Sequence, residues 1–206
     1  MIDHNVILTS AQLFEGLGYN MYDFDLHYWR LFAGEYNVLT TDPHEKVYTI
    51  KSVFIHPGYN YTTLENDIAL VITTQPIAWN NHTRPACLPD NSKRASVGSV
   101  CYLPGFGGMG GIQTVTGTEE VMNQVDLTIV DDSVCANRYK GYMPNNKLCA
   151  GYENQHKNFC WDDLGGPLMF KANSGVWVIQ GLASSGGNCT LANQPSVFED
   201  VSMNTK

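Results

Sequence analysis

The sequence has no long apolar run, no Lys/Arg-rich block and no C-x-x-C pair. The first absence argues against a membrane-spanning helix, which needs about 20 consecutive apolar residues. The second, with 12 basic against 20 acidic residues and a formal net charge of -8, argues against nucleic acid or an anionic membrane surface as a partner, because both would be repelled. The third removes a common zinc-chelating spacing, although six cysteines are present, at positions 87, 101, 135, 149, 160 and 189. Widely spaced cysteines point instead to disulfides and an oxidising compartment. N-x-[ST] sequons at Asn60, Asn81 and Asn188 agree with that compartment. The opening stretch MIDHNVILTSAQLF lacks a basic region and holds only a short apolar run, so it is no secretory signal peptide.

What is present suits a soluble globular protein: 206 residues, 43% of them hydrophobic, are enough for one substantial core or two small ones. Segments rich in β-branched residues recur with turn signals between them, at Val47 to Ile55, Asp67 to Thr74, Asn123 to Val130 and Val176 to Ser184. They predict an all-β chain. One short helix is expected near Asp131 to Tyr139, where adjacent aspartates offer an N-cap. The polar, turn-rich stretch Thr83 to Ser99 could link two halves, about 1–85 and about 100–206. The glycine-rich FGGMGGIQ lacks the Lys-Ser/Thr ending of a phosphate-binding loop and reads better as a surface loop.

Three segments carry a resemblance. VILTSAQL (Val6 to Leu13), DIAL (Asp67 to Leu70) and CWDDLGGPL (Cys160 to Leu168) resemble, in order and spacing, the histidine, aspartate and serine motifs of the chymotrypsin/trypsin-like serine protease family. RPACLP, CYLPGFG, LCAGY, VIQGLASSG and PSVFEDVS resemble further blocks of that family, so the likeness runs over nearly the whole chain. The resemblance implies two antiparallel β-barrels in one trypsin-like domain, 1–206, with the active site between them. It also implies that the first barrel is truncated at its N-terminal side and that the C-terminal helix is missing.

In such a site a serine hydroxyl attacks after an imidazole takes its proton, and a buried carboxylate holds the imidazole in the right tautomer. The matching positions here are Leu164 for the nucleophile, Gln12 for the base and Asp67 for the carboxylate. A hydrocarbon has no lone pair to attack a carbonyl, and an amide has no useful pKa near neutrality. A glycine whose N–H serves the oxyanion hole is matched by Asp162, a carboxylate that would repel the developing charge. The resemblance therefore implies a protease homologue without catalysis, acting outside the cell on a protein or peptide partner. The alternatives are an active serine-type endopeptidase and a truncated gene product without function.

The same matching implies a pocket with Asn158 at its base, Gly186 and Ser196 at its walls, and Ser184 and Ser185 along its channel. It pairs Cys135 with Cys149 and Cys160 with Cys189, and leaves Cys87 and Cys101 unpaired, Phe170 standing where the partner of Cys101 would be. Asp163, beside the nucleophile position, is expected to lack the freed N-terminus that the family places against it. No cofactor is required. GEYNVLTTDPHE resembles the family's calcium loop, with carboxylates of Glu35, Asp42 and Glu45 and carbonyls of Asn37 and Thr40 at matching spacing; the alternative is a solvated acidic turn.

Overall fold

The computed structural model describes residues 1–15, 26–90, 95–107, 118–139, 145–151, 158–185 and 194–204. Strands Val6–Thr9 (β1), Arg30–Ala33 (β2), Lys46–Ile55 (β3) and Ala69–Thr73 (β4) form an antiparallel sheet in the order β1-β4-β3-β2. Strands Val100–Gly107 (β5), Thr118–Val130 (β6), Lys147–Ala150 (β7), Pro167–Lys171 (β8), Trp177–Ser185 (β9) and Ser196–Asp200 (β10) close into a barrel in the order β10-β7-β6-β5-β8-β9. This is the all-β, two-sheet architecture anticipated from the sequence, with the second sheet closed and the first open at β1 and β2. The four expected strands correspond to β3, β4, β6 and β9.

The alternation in β4 follows from ALVIT lying between two neighbours, with Ala69, Val71 and Thr73 buried and Leu70 and Ile72 half-buried. In the barrel, β7 and β10 are buried at every position. Leu103, Leu127, Leu168, Ala183, Phe159 and Phe198 fill that interior, and the two phenyl rings meet edge to face at 5.4 Å. Full burial of each such large side chain is worth about 1.5–3 kcal/mol. Cys101 sits in the same cluster with Phe170 packed against it, and burial pushes its thiol up to about 12. Both Cys101 and Cys87 are free thiols, as expected.

The expected helix is Asp132–Arg138 (α1), and Asp131 caps it by accepting from the Ser133 N–H at 2.9 Å. A disulfide between Cys135 and Cys149 ties α1 to β7. Closing a loop of this length stabilises the fold by about 3 kcal/mol in the chain-entropy account. Cys160 is also disulfide-bonded, while Cys189, its expected partner, lies outside the described residues.

Backbone hydrogen bonds stitch the two sheets together. Val38 N–H donates to Glu120 O and Met122 N–H to Tyr36 O, both at 2.9 Å, so the loop after β2 lies along β6. On the far side Cys87 pairs with Val178 of β9.

Candidate functional site

A short turn presents Gln12. After β1 the chain enters a single 3-10 turn, Ala11–Phe14, whose first residue is fully buried, and this aims the Gln12 side chain across to the barrel. Asp67 is brought to the same place by a tight turn ahead of β4. Asn66 there takes a left-handed backbone (φ 55), which Asn tolerates better than most residues, and its side chain donates to Gly58 O at 2.8 Å. The turn points the Asp67 carboxylate inward, where it has no exposure.

The two meet through a double contact. Gln12 N–H donates to Asp67 Oδ1 at 2.9 Å, and Gln12 Nε2 donates to Asp67 Oδ2 at 2.5 Å. The second hydrogen on Nε2 goes to Ser184 O at 2.6 Å. Ser184 is the extra residue of a bulge: Val197 faces Ser185 and Phe198 faces Ala183, so Ser184 has no partner on β10. Bulges re-aim side chains. Here the freed hydroxyl donates to Asp67 Oδ2 at 2.6 Å.

Behind Ser184 lies a buried ion pair that sequence reasoning missed. Lys147 on β7 and Glu199 on β10 are directly opposed in the barrel register, with Nζ and Oε2 2.8 Å apart and almost no exposure on either side chain. Lys147 Nζ also donates to Ser184 Oγ at 3.0 Å, and Glu199 Oε2 accepts from Asp67 N–H at 3.1 Å. Asn146 and Asn204 both donate to Glu199 Oε1. Burial pushes the Glu199 carboxyl above its ordinary range, against the lowering pull of Lys147 and these donors. The sequence signal was Lys147 at the head of the apolar stretch KLCA and the acidic pair Glu199 and Asp200 closing SVFED.

Leu164 follows the 3-10 turn Trp161–Asp163. Its side chain is half-buried against the barrel core, and its N–H donates to Trp161 O at 3.2 Å, so that amide is turned back into its own turn. Asp162 is exposed on that turn. The next residue, Gly165, has φ 77, and a Cβ there would collide with Thr9, Ser10 and Leu13, which brings the Leu164 turn hard against the segment carrying Gln12. Asp163 is buried beside it. Its carboxylate accepts from two backbone donors, Gly107 N–H at 2.8 Å and Cys160 N–H at 3.0 Å. Gly107 has no room for a side chain, since a Cβ would strike that carboxylate.

Of the expected pocket residues, Asn158 is nearly buried and spends its side chain locally, accepting from Phe159 N–H and donating to Gln194 O, both at 3.0 Å. Ser196 is fully buried, and its hydroxyl has no hydrogen-bond partner among the described residues. Ser185 is half-buried at the end of β9, and Gly186 lies outside the described residues. In the acidic loop, Asp42 accepts from the N–H groups of Tyr36 and Asn37, Glu45 accepts from Asp42 N–H, and Asn37 O accepts from Thr40 N–H. Glu35 keeps a buried oxygen without a donor among the described residues. Among the described residues no three His, Cys, Asp or Glu side chains converge as a metal cage, so the loop's fit to calcium is partial.

Compared with protein families, the chain matches Trypsin over residues 1–206. The chain belongs to the trypsin family. It is 31% identical over 168 residues to Trypsin-3 of Salmo salar, a match covering 82% of this chain and 67% of that protein. It is 29% identical over 154 residues to Transmembrane protease serine 11C of Mus musculus, across 74% of this chain and 35% of that one. It is 31% identical over 153 residues to Transmembrane protease serine 9 of Rattus norvegicus, across 74% of this chain and 14% of that one. The chain thus spans two thirds of the first relative and much less of the other two. Trypsin-family members as a class support serine endopeptidase chemistry. Among the described residues of this chain, no helix is long and apolar enough to cross a membrane.

Proposed function

We propose that this trypsin-family chain is a non-catalytic homologue that works by binding a protein or peptide partner. The observation that carries the reading is the pair of residues at the base and nucleophile positions. Gln12 is an amide with both side-chain hydrogens committed to Asp67 and Ser184, and Leu164 is a hydrocarbon whose own amide is committed to Trp161. Proton-assisted acyl transfer needs a hydroxyl or thiol and a base beside it, and neither stands at those positions. Asp162 adds a carboxylate that would repel the developing oxyanion. Incubation with a panel of peptide esters tests this. No turnover above background is expected, and turnover that scales with enzyme concentration overturns the reading.

A second reading, an active serine-type endopeptidase, is favoured by the family match over the whole chain. It requires both Gln12 and Leu164 to differ in the expressed protein, which resequencing the transcript across the two codons decides. No cofactor is needed for the binding role. The net charge of -8 favours a protein or peptide partner over nucleic acid or an anionic membrane. The Cys135–Cys149 disulfide and the exposed sequon residues Asn60 and Asn81 fit an extracellular location. Recovery of the glycosylated chain from culture medium supports that location, and retention of an unmodified, reduced chain inside the cell contradicts it.

A further inference from the structure

We propose that the constellation around Asp67 is a clasp between the two sheets. Gln12 and Asp67 belong to the first sheet's segment, Ser184, Lys147 and Glu199 to the barrel, and together they form one buried polar unit that fixes the two sheets against each other. Four contacts cross the boundary: Gln12 Nε2 to Ser184 O, Ser184 Oγ to Asp67 Oδ2, Asp67 N–H to Glu199 Oε2, and Asn146 Nδ2 to Asn66 Oδ1.

The use of each polar atom supports this role. Asp67 Oδ1 accepts one hydrogen bond and Oδ2 two; Glu199 accepts two on each oxygen; Ser184 Oγ both donates and accepts. A site that works on a substrate must leave groups open for it and holds them in costly arrangements, which is why clearing working-site residues often stabilises a protein. Here the groups are closed on one another. Two carboxyl groups and the Lys147 amine share the buried unit, and the Gln12, Ser184 and asparagine donors satisfy the carboxyl oxygens. In a low-dielectric interior such a unit is strong when complete and costly when broken. The clasp does not depend on the absence of catalysis.

A double-mutant cycle tests it. Gln12→Ala, Ser184→Ala and the double variant are unfolded in urea. Each single change is expected to raise the unfolding equilibrium constant at least about fivefold, and the double effect should depart from the product of the singles by at least about twofold. Multiplicative effects, or stabilisation by Gln12→Ala, overturn the proposal. Should a variant fail to fold, hydrogen exchange on the unaltered protein decides. The Gln12 and Asp67 amides are expected to exchange with the slowest class, alongside β4 and β9, whereas exchange as fast as exposed turn amides overturns the clasp.

Discussion

Gln12 grips Asp67 at both carboxylate oxygens, through its backbone N–H at 2.9 Å and its side-chain amide at 2.5 Å. An imidazole in that place would orient on Asp67 through one nitrogen and keep the other for a hydroxyl. The glutamine uses its second hydrogen on the Ser184 carbonyl instead, so neither hydrogen of that amide is left for a group at position 164.

Restoring chemistry therefore takes more than one change. Gln12→His alone and Leu164→Ser alone are expected to give no ester turnover, because triad members act as a unit. The double variant is expected to remain weak. Adding Asp162→Gly to it should raise turnover, because it removes a carboxylate from beside the developing oxyanion. Equal activity with and without that third change would show that Asp162 does not stand in the oxyanion position.

Breaking the Lys147–Glu199 pair on one side leaves the other charge buried alone. Lys147→Ala is expected to cost about 3–5 kcal/mol in urea unfolding, whereas replacing both residues together by apolar side chains of similar volume should be neutral or stabilising by about 1–4 kcal/mol. A small loss for the single change would mean that water reaches the pair.

The pH dependence has a definite sign. Burial raises the Glu199 carboxyl above its ordinary value of 4.5, so the folded chain holds that proton more tightly than the unfolded chain. Its contribution to stability is therefore greatest below about pH 4.5 and declines as pH rises through the folded-state value. Relative to Lys147→Met/Glu199→Gln, the unaltered protein should lose stability as pH rises above about 4.5. Parallel curves would contradict the assignment.

The acidic loop is expected to fold without a cation, since Asp42 and Glu45 already accept from loop amides. A chelator should leave Tm unchanged. If Glu35, with its unpartnered oxygen, recruits the others around calcium, the ion will stabilise by about 2.7 kcal/mol at a hundred times its Kd.

Much of this was legible in the sequence. The strands at β3, β4, β6 and β9 announced themselves by β-branched runs, and α1 by its aspartate cap, because both signals are local. The motif positions Gln12, Asp67 and Leu164 were read from the resemblance of their flanking segments to the family's motifs, and the contact of Gln12 with Asp67 came from the structure. What was hidden depends on registers between distant strands. Lys147 and Glu199 are 52 residues apart and meet only because β7 and β10 are neighbours in the barrel. The role of Ser184 rests on a one-residue bulge, and that of Asp163 on backbone amides from Gly107 and Cys160; neither is written in side-chain identity.

The central claim is tested most directly by treating the folded chain with an active-site-directed fluorophosphonate, beside an active trypsin, and weighing the intact protein. The account predicts no adduct at reagent concentrations that modify the trypsin completely. A saturable, one-to-one adduct that denaturation abolishes would contradict it.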